Sequence, residues 1–348
     1  KNRSSMKKVA IIGATGYTGS ELVRILTFHE QVGIELITSE THQGKKFSDI
    51  HPQFKGICDV ELQSAEDIDN YQPDLVFLAL PHGVSMEYVK KWKDKPFSMI
   101  DLSGDFRLSS PESFYDWYNI EHSYPEGFGY AVFGLPELYR ESISQSRLVA
   151  NPGCFPTGAI LGTYPLLKEK LIDPMRIFVD SKTGVTGAGV KPKGVTHFPN
   201  VNDNFKAYGI KGHRHTIEIQ EVLSESSGTA STVQFTPHLL PVDRGILTTI
   251  YAIPSGKILE QKLKDLYHRY YDQEPFIRLR NNPPEIKQVR GTNYTDIAPF
   301  FDERTGNILI FAAIDNLVKG AAGQAVQNMN LMLGFDEKEA LNLIPVMP

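Results

Sequence analysis

Short, continuously apolar runs alternate with helix-spaced segments up to Ala150, and this alternation restricts the fold more than any other feature. The runs are Lys8–Ile12, Ile34–Thr38, Asp74–Leu80 (closed by Pro81), Met99–Leu102 and Leu148–Ala150. Between them, Ser20–His29 places Leu22, Ile25, Leu26 and Phe28 on or near one helical face, and Val84–Lys93 reads as a second helix. A strand that is apolar at every position must be covered on both faces. The pattern therefore predicts a parallel sheet with helices on either side, an α/β, doubly wound arrangement.

Beyond Leu148–Ala150 the character changes. A helix is expected over Gly158–Lys170, followed by β-rich runs at Arg176–Ser181, Thr232–Pro237, Ile246–Ile253 and Asn307–Ile314. Gly/Pro/Asn loops and one amphipathic helix, Leu259–Tyr271, interrupt them. This predicts a second, α+β domain with a mixed or largely antiparallel sheet. The last helical segment, Val318–Leu333, is rich in Ala, Gln, Asn and Met and suits packing against the first domain. The expected division is 1–153 plus 318–348 for the first domain and 154–317 for the second, and 348 residues suffice for two cores.

The net charge of −5 argues against a nucleic-acid-binding protein, which needs a strongly basic face. No apolar run is long enough to span a bilayer, so no membrane partner is expected. Two cysteines, Cys58 and Cys154, make no disulfide framework and suit a reducing compartment. No secretory signal is visible, which points to the cytoplasm. Met6 lies inside the chain, so a trimmed leader over Lys1–Ser5, and with it an organelle such as a plastid, also fits.

Gly13-Ala14-Thr15-Gly16-Tyr17-Thr18-Gly19 joins the first strand to the first helix. Glycines there let the backbone approach a pyrophosphate, and the helix N-terminus supplies N–H donors. The spacing is G-x-x-G-x-x-G rather than the commoner G-x-G-x-x-G, but the strand–loop–helix setting is that of a dinucleotide site. Gly13, Thr15, Gly16, Tyr17, Thr18 and Gly19 are the candidate cofactor residues. At the end of the second strand, Ser39 with Lys45 and Lys46 beyond suits a 2′-phosphate and hence NADP(H). Glu40 would serve NAD if the strand ran one residue longer.

Asn151-Pro152-Gly153-Cys154-Phe155-Pro156-Thr157 sets Cys154 at a strand-to-helix turn. The partial positive charge of a helix start stabilises a thiolate, and its free N–H groups stabilise an oxyanion on a carbonyl that sulfur attacks. Arg107, in Asp101–Leu108, offers a fork for phosphate or carboxylate, or a surface pair with Asp105. The loop Gly184–Gly189, containing Gly187, can let a ligand approach the backbone or can be a plain hairpin. His213-Arg214-His215 opens a helix-like segment and brings imidazoles suited to acid–base work. No third ligand is nominated beside them, so no metal is expected.

On Gly13–Gly19, Asp101–Leu108, Gly134–Leu138, Asn151–Thr157, Gly212–Glu218 and Asp315–Gln324, in that order, the chain resembles the N-acetyl-γ-glutamyl-phosphate reductases of the aspartate-semialdehyde dehydrogenase-like group. The resemblance implies a Rossmann-type first domain. It also implies reduction of an acyl phosphate, N-acetyl-L-glutamyl 5-phosphate, to the 5-semialdehyde with NADPH through a thioester on Cys154. His213 or His215 would be the acid/base, with a lean to His213. Arg107 and then Arg214 would meet phosphate. Asn151 would orient the carbonyl or cap the turn, and Asn316 would meet the nicotinamide amide. A homodimer or homotetramer is implied as well. The alternative is aspartate-semialdehyde dehydrogenase itself. That family carries a His some residues after an Arg in a late strand, whereas Pro241–Thr248 has Arg244 with no His before Tyr251.

Overall fold

The computed structural model describes residues 6–347, so the leader expectation at Lys1–Ser5 lies outside the described residues. The chain divides into two compact units. One runs to Pro152 and includes Ala321–Asn342; the other is Gly153–Gly320 with the tail from Leu343. The sequence put the return at 318 and kept the whole C-terminus in the first domain; the divisions fall instead after Gly320 and Asn342.

The first unit is built on β1 (Lys7–Ile12), β2 (Val32–Ile37), β3 (Leu75–Leu78), β4 (Ser98–Asp101), β5 (Ala131–Phe133) and β6 (Leu148–Ala150). Its helices are α1 (Tyr17–Leu26), α2 (Phe47–Ile50), α3 (Ile68–Tyr71), α4 (Ser85–Trp92), α5 (Pro111–Tyr118) and α6 (Pro136–Gln145). The strand order is β2-β1-β3-β4-β6-β5, and every ladder is parallel. β1 lies between β2 and β3, so the chain leaves β1 and β3 on opposite sides of a crevice at their carboxyl ends. The Gly13–Gly19 loop opens there. β3 is buried at all four positions, as the continuous apolar run requires.

The second unit holds α7 (Cys154–Lys168), β7 (Ile172–Thr183), α8 (Phe198–Val201), β8 (Lys206–Ala207), α9 (His215–Ser227), β9 (Val233–Leu239), β10 (Ile246–Pro254), α10 (Glu260–Tyr271), β11 (Ile277–Leu279), β12 (Thr295–Asp302) and β13 (Asn307–Ile314). The seven strands form one mixed sheet, β11-β12-β13-β10-β7-β9-β8. α7 lies close on this sheet because Gly162 has no side chain: a Cβ there would stand 2.5 Å from Ile250 Cδ1. Pro156 and Gly158 hide the first turn in the sequence, which places the helix start at Gly158. α7 begins at Cys154, where Pro156 is tolerated because first-turn N–H groups have no intrahelical partner. β12 was missed for a related reason. Pro299 argues against a central strand, but β11 flanks β12 only over Thr295–Ile297, so Pro299 removes no ladder bond on that side.

α11 (Gly323–Met332) belongs to the first unit and follows a wide π-type turn, Val318–Ala322. Gln324, Gln327, Asn328 and Asn330 are all fully buried on it. The amides of Gln327, Asn328 and Asn330 replace apolar packing with hydrogen bonds. Asn328 Nδ2 donates to the Gly134 carbonyl at 2.9 Å and to Asn151 Oδ1 at 3.1 Å. Asn330 Oδ1 meets His29 Nε2 at 2.9 Å, and Gln327 Nε2 donates to Glu337 at 2.7 Å. Buried amides are tolerated only when satisfied in this way. Asn328→Ala strands the Gly134 carbonyl and the Asn151 amide oxygen. It is expected to cost about 2 kcal/mol in denaturant unfolding, with cofactor-free protein used for the measurement.

Candidate active site

In the first unit the glycines of the loop do different work. Gly13 has φ +85°, and a Cβ there would meet the Ala79 carbonyl oxygen at 2.5 Å. A Cβ on Gly19 would lie 2.5 Å from the Gly13 oxygen and 2.6 Å from Ala14 Cα, so Gly19 is what lets α1 dock on its own loop. Gly16 differs: it caps α1 at φ −76°, and the nearest atom to its added Cβ is 4.0 Å away. The protein itself does not need a glycine there, whereas a ligand approaching the backbone does. No side chain caps α1 and no acid sits in its first turn, so its N–H groups and positive end remain for an anion. Tyr17 and Thr18 are the first two residues of that helix. These features fit the pyrophosphate of a nicotinamide dinucleotide.

The end of β2 completes this surface. The Gly13 amide donates to Thr38 Oγ1 at 3.2 Å, and Thr15 and Ser39 hydroxyls meet at 3.1 Å. Ser39 is buried while Glu40, Lys45 and Lys46 are exposed. The Tyr88 phenol is raised by burial and then by the Glu40 charge.

Asp101–Leu108 follows β4 as expected, but its charged groups are tied inward. Asp105 accepts from the amides of Gly83 and Met86 at 2.8 and 3.0 Å and so holds the start of α4. Asp101 accepts from Ser103 N and Oγ; burial, then the Asp105 charge, push its carboxyl up to about 7. Arg107 is buried and donates through Nε to the Asn151 carbonyl and through Nη2 to the Leu102 carbonyl, each at 2.7 Å. Asn151 donates to the Ala321 carbonyl and accepts from Asn328. Both residues thus hold the end of β6.

In the second unit, Cys154 is the first residue of α7, partly exposed, with Gly153 as N-cap. The positive end of the helix favours an anionic sulfur or oxyanion at this position. The first turn of α9 closes over the cap. A Cβ on Gly153 would fall 2.4 Å from His215 Nε2 and within 2.9 Å of two ring carbons, so the imidazole rests on the Gly153 α-carbon. Glu218, one turn further along α9 and 0% exposed, accepts the Gly153 N–H through Oε1 at 2.7 Å. Gly320 closes the other side, where an added Cβ would lie 2.9 Å from Cys154 Cβ. Glu218 and Gly320 were not singled out in the sequence. Their signal is their place in the Gly212–Glu218 and Asp315–Gln324 stretches, which proximity alone turns into site residues.

The two imidazoles lie side by side, 4.9 Å between centroids, with different partners. His213 stands among the rings of Phe155, Tyr208 and Phe235 at 5.3–5.5 Å between centroids. Its Nδ1 accepts the His215 amide at 3.2 Å. Burial, then the Arg214 charge, push its imidazole down to about 4, so it is neutral at neutral pH. The Nδ1 of His213 serves the start of α9, and His215 is the imidazole set against Gly153, the residue before Cys154. The Tyr208 phenol is raised by burial and then by the Cys154 charge.

Arg214, at the N-cap of α9, is exposed. Gly187 lies exposed in the turn Val185–Ala188, with nothing within 4 Å of an added Cβ. Asn316 is buried. Its oxygen accepts from Gly245 N at 2.8 Å and its nitrogen donates to Thr186 Oγ1 at 2.9 Å. It ties two loops of the second unit. Asp315, beside it, accepts the amides of Gly291, Leu317 and Val318.

A parallel dinucleotide-type sheet and a cysteine opening a helix on a mixed sheet together define a class. The semialdehyde dehydrogenase NAD binding domain matches residues 8–146, and the semialdehyde dehydrogenase dimerisation domain matches residues 154–316. Solved structures agree on the fold. Aspartate semialdehyde dehydrogenase II from Vibrio cholerae superposes with TM-score 0.71 at 20% identity, covering 95% of this chain and 99% of that one. The Candida albicans enzyme, described with NADP, gives 0.72 at 16%, covering 94% and 99%. Two curated relatives are nearer in sequence. The N-acetyl-gamma-glutamyl-phosphate reductase of Citrifermentans bemidjiense is 47% identical, covering 99% of this chain and 100% of its own. That of Methanocaldococcus jannaschii is 48% identical, covering 97% and 98%. The chain belongs to the N-acetyl-gamma-glutamyl-phosphate reductase family of semialdehyde dehydrogenase-type proteins.

Gly16→Ala is expected to keep the thermal midpoint of the parent and raise the Kd for nicotinamide nucleotide about tenfold or more, read by fluorescence titration, whereas Gly13→Ala loses stability through its positive φ. A second expectation concerns pH. His213 is held at about 4 in the folded chain against 6.5 ordinarily. Its contribution is therefore fully present above 6.5 and lost as pH falls toward 4, because the unfolded chain takes up a proton that the folded chain refuses. His213→Phe should flatten the fall of the thermal midpoint between about pH 6.5 and about pH 5.

Proposed function

We propose that this chain reduces N-acetyl-L-glutamyl 5-phosphate to N-acetyl-L-glutamate 5-semialdehyde and inorganic phosphate, with NADPH as reductant and Cys154 as nucleophile. The observation that carries this reading is the α7 start. Cys154 opens the helix, and His215 and Glu218 both bear on the residue before it. The names of the curated relatives supply the substrate.

The thiol chemistry divides one hard step into two. His215 takes the proton of Cys154 as the sulfur attacks the acyl carbon. The C–O bond to phosphate breaks, phosphate leaves with that electron pair, and His215 hands it the proton. A thioester remains on Cys154. Residues of the Gly13–Gly19 loop would hold the nicotinamide cofactor, which would supply the hydride for reduction of the thioester carbon. The N–H groups at the α7 start stabilise the resulting oxyanion. Its collapse re-forms the carbonyl and breaks the C–S bond. Sulfur departs as thiolate, to be reprotonated by way of His215 with a proton from solvent. One proton is consumed per turnover.

Arg214, exposed at the N-cap of α9, is the proposed phosphate ligand, positively charged at any working pH. NADPH is preferred to NADH because Ser39, rather than an acid, ends β2 beside Thr15, and Lys45 and Lys46 lie exposed just beyond. Gly187 is proposed to let the cofactor approach the second unit's backbone. A homodimer is the proposed assembly, from the dimerisation-domain match over residues 154–316.

Cys154→Ser is expected to lower turnover by about a thousandfold or more while nucleotide binding survives. Cys58, whose thiol is pushed up by burial, is dispensable, so Cys58→Ala keeps most activity. Both are read in the reverse direction, with phosphate and NADP+, comparing N-acetylglutamate semialdehyde with aspartate semialdehyde. Preference for aspartate semialdehyde, or undiminished turnover in Cys154→Ser, overturns the proposal.

A further inference from the structure

Glycine at position 153 is not required by its backbone, which sits at φ −65° and ψ 157°, open to any residue. It is required by His215, whose ring occupies the space of a Cβ. The same residue's amide is taken by Glu218, which lies three positions after His215 and therefore on the same face of α9. One helical turn thus grips one residue at two points, ring on α-carbon and carboxylate on N–H. That residue immediately precedes Cys154. Gly153 has no side chain with which to cap α7, and none caps it locally. A carboxylate at this helix start also faces its positive end.

We propose that Glu218 is a positioning residue for the thiol chemistry: as the acceptor for the Gly153 amide, it fixes the Cys154 turn against His215. This rests on the reading of Cys154 as nucleophile and His215 as its proton partner. It adds a residue that acts through the Gly153 amide. The acceptor oxygen is what matters, so a neutral acceptor of the same length preserves the role. Without it a buried N–H is left unmet, and the turn is free to move away from the imidazole.

The test compares wild type, Glu218→Ala and Glu218→Gln in the full chain, with two readouts. In steady-state kinetics, Glu218→Ala is expected to lower kcat about a hundredfold with KM for both substrates changed about twofold or less, and Glu218→Gln to recover most of the loss. The second readout is the rate of Cys154 alkylation by iodoacetamide at neutral pH, in a Cys58→Ala background. It needs no substrate, so it stands even if the assigned acyl phosphate is wrong. Glu218→Ala should alkylate at least about fivefold more slowly than wild type, and Glu218→Gln near the wild-type rate. Faster alkylation in Glu218→Ala means that the carboxylate acts only as a negative charge beside the sulfur, and overturns the proposal. So does an unchanged kcat in Glu218→Ala, or failure of Glu218→Gln, folded by circular dichroism, to restore either rate. Should Glu218→Ala fail to fold, Glu218→Gln alone decides, by matching or missing both wild-type rates.

Discussion

The catalytic half of this protein depends on the contact between an imidazole and a bare α-carbon. His215 reaches the Cys154 turn only because Gly153 offers no Cβ, and any larger residue would have to displace the ring. Around that contact the other groups fall into place. Glu218 takes the amide of the same residue, Gly320 gives room to the Cys154 side chain, and Gly162 lets α7 settle on β10 and β13. Close approach, rather than unusual backbone conformation, is the use made of glycine here. A cysteine at the first position of a helix is an ordinary arrangement; a cysteine there with an imidazole pressed on the preceding residue is a chemical device.

The first unit relies on a different economy. α11 is buried from Gly323 to Asn330 yet carries Gln327, Asn328 and Asn330. Such a helix is stable only where carbonyls and side-chain oxygens are waiting for it. Gly134, Asn151, Glu337 and Glu339 provide them. The same amides hold Asn151, and Arg107 holds its carbonyl, so the end of β6 is pinned before the chain enters the second unit. Directional bonds of this kind specify one arrangement where apolar packing would accept several.

Much of the plan is visible in the chain. Continuous apolar runs announce β1, β3 and β6 because strands covered on both faces have no reason to alternate. Gly13–Gly19 announces itself through position, between a strand and a helix at the start of the sheet. β12 escapes because Pro299 reads as a break, and only the shortness of β11 makes it harmless. β5, β8 and β11 escape because two or three residues carry no periodicity. α7 begins four residues earlier than expected because Pro156 and Gly158 are poor helix formers in isolation, and packing on the sheet outweighs propensity.

From sequence alone come the residue types that chemistry needs: a thiol, two imidazoles, two guanidinium groups and a glycine-rich loop ahead of a helix. These follow from local order along the chain, which is all that a periodicity or a motif records. Tertiary structure decided how they are used. It set His213 in an aromatic cage with Nδ1 turned to the His215 amide, and His215 against Gly153. It took Asn316 for Gly245 and Thr186, and recruited Glu218. The physical reason is that hydrogen bonds, burial and steric exclusion act over a few ångströms in space. His215 and Gly153 are 62 positions apart in the sequence, and only the fold makes them neighbours.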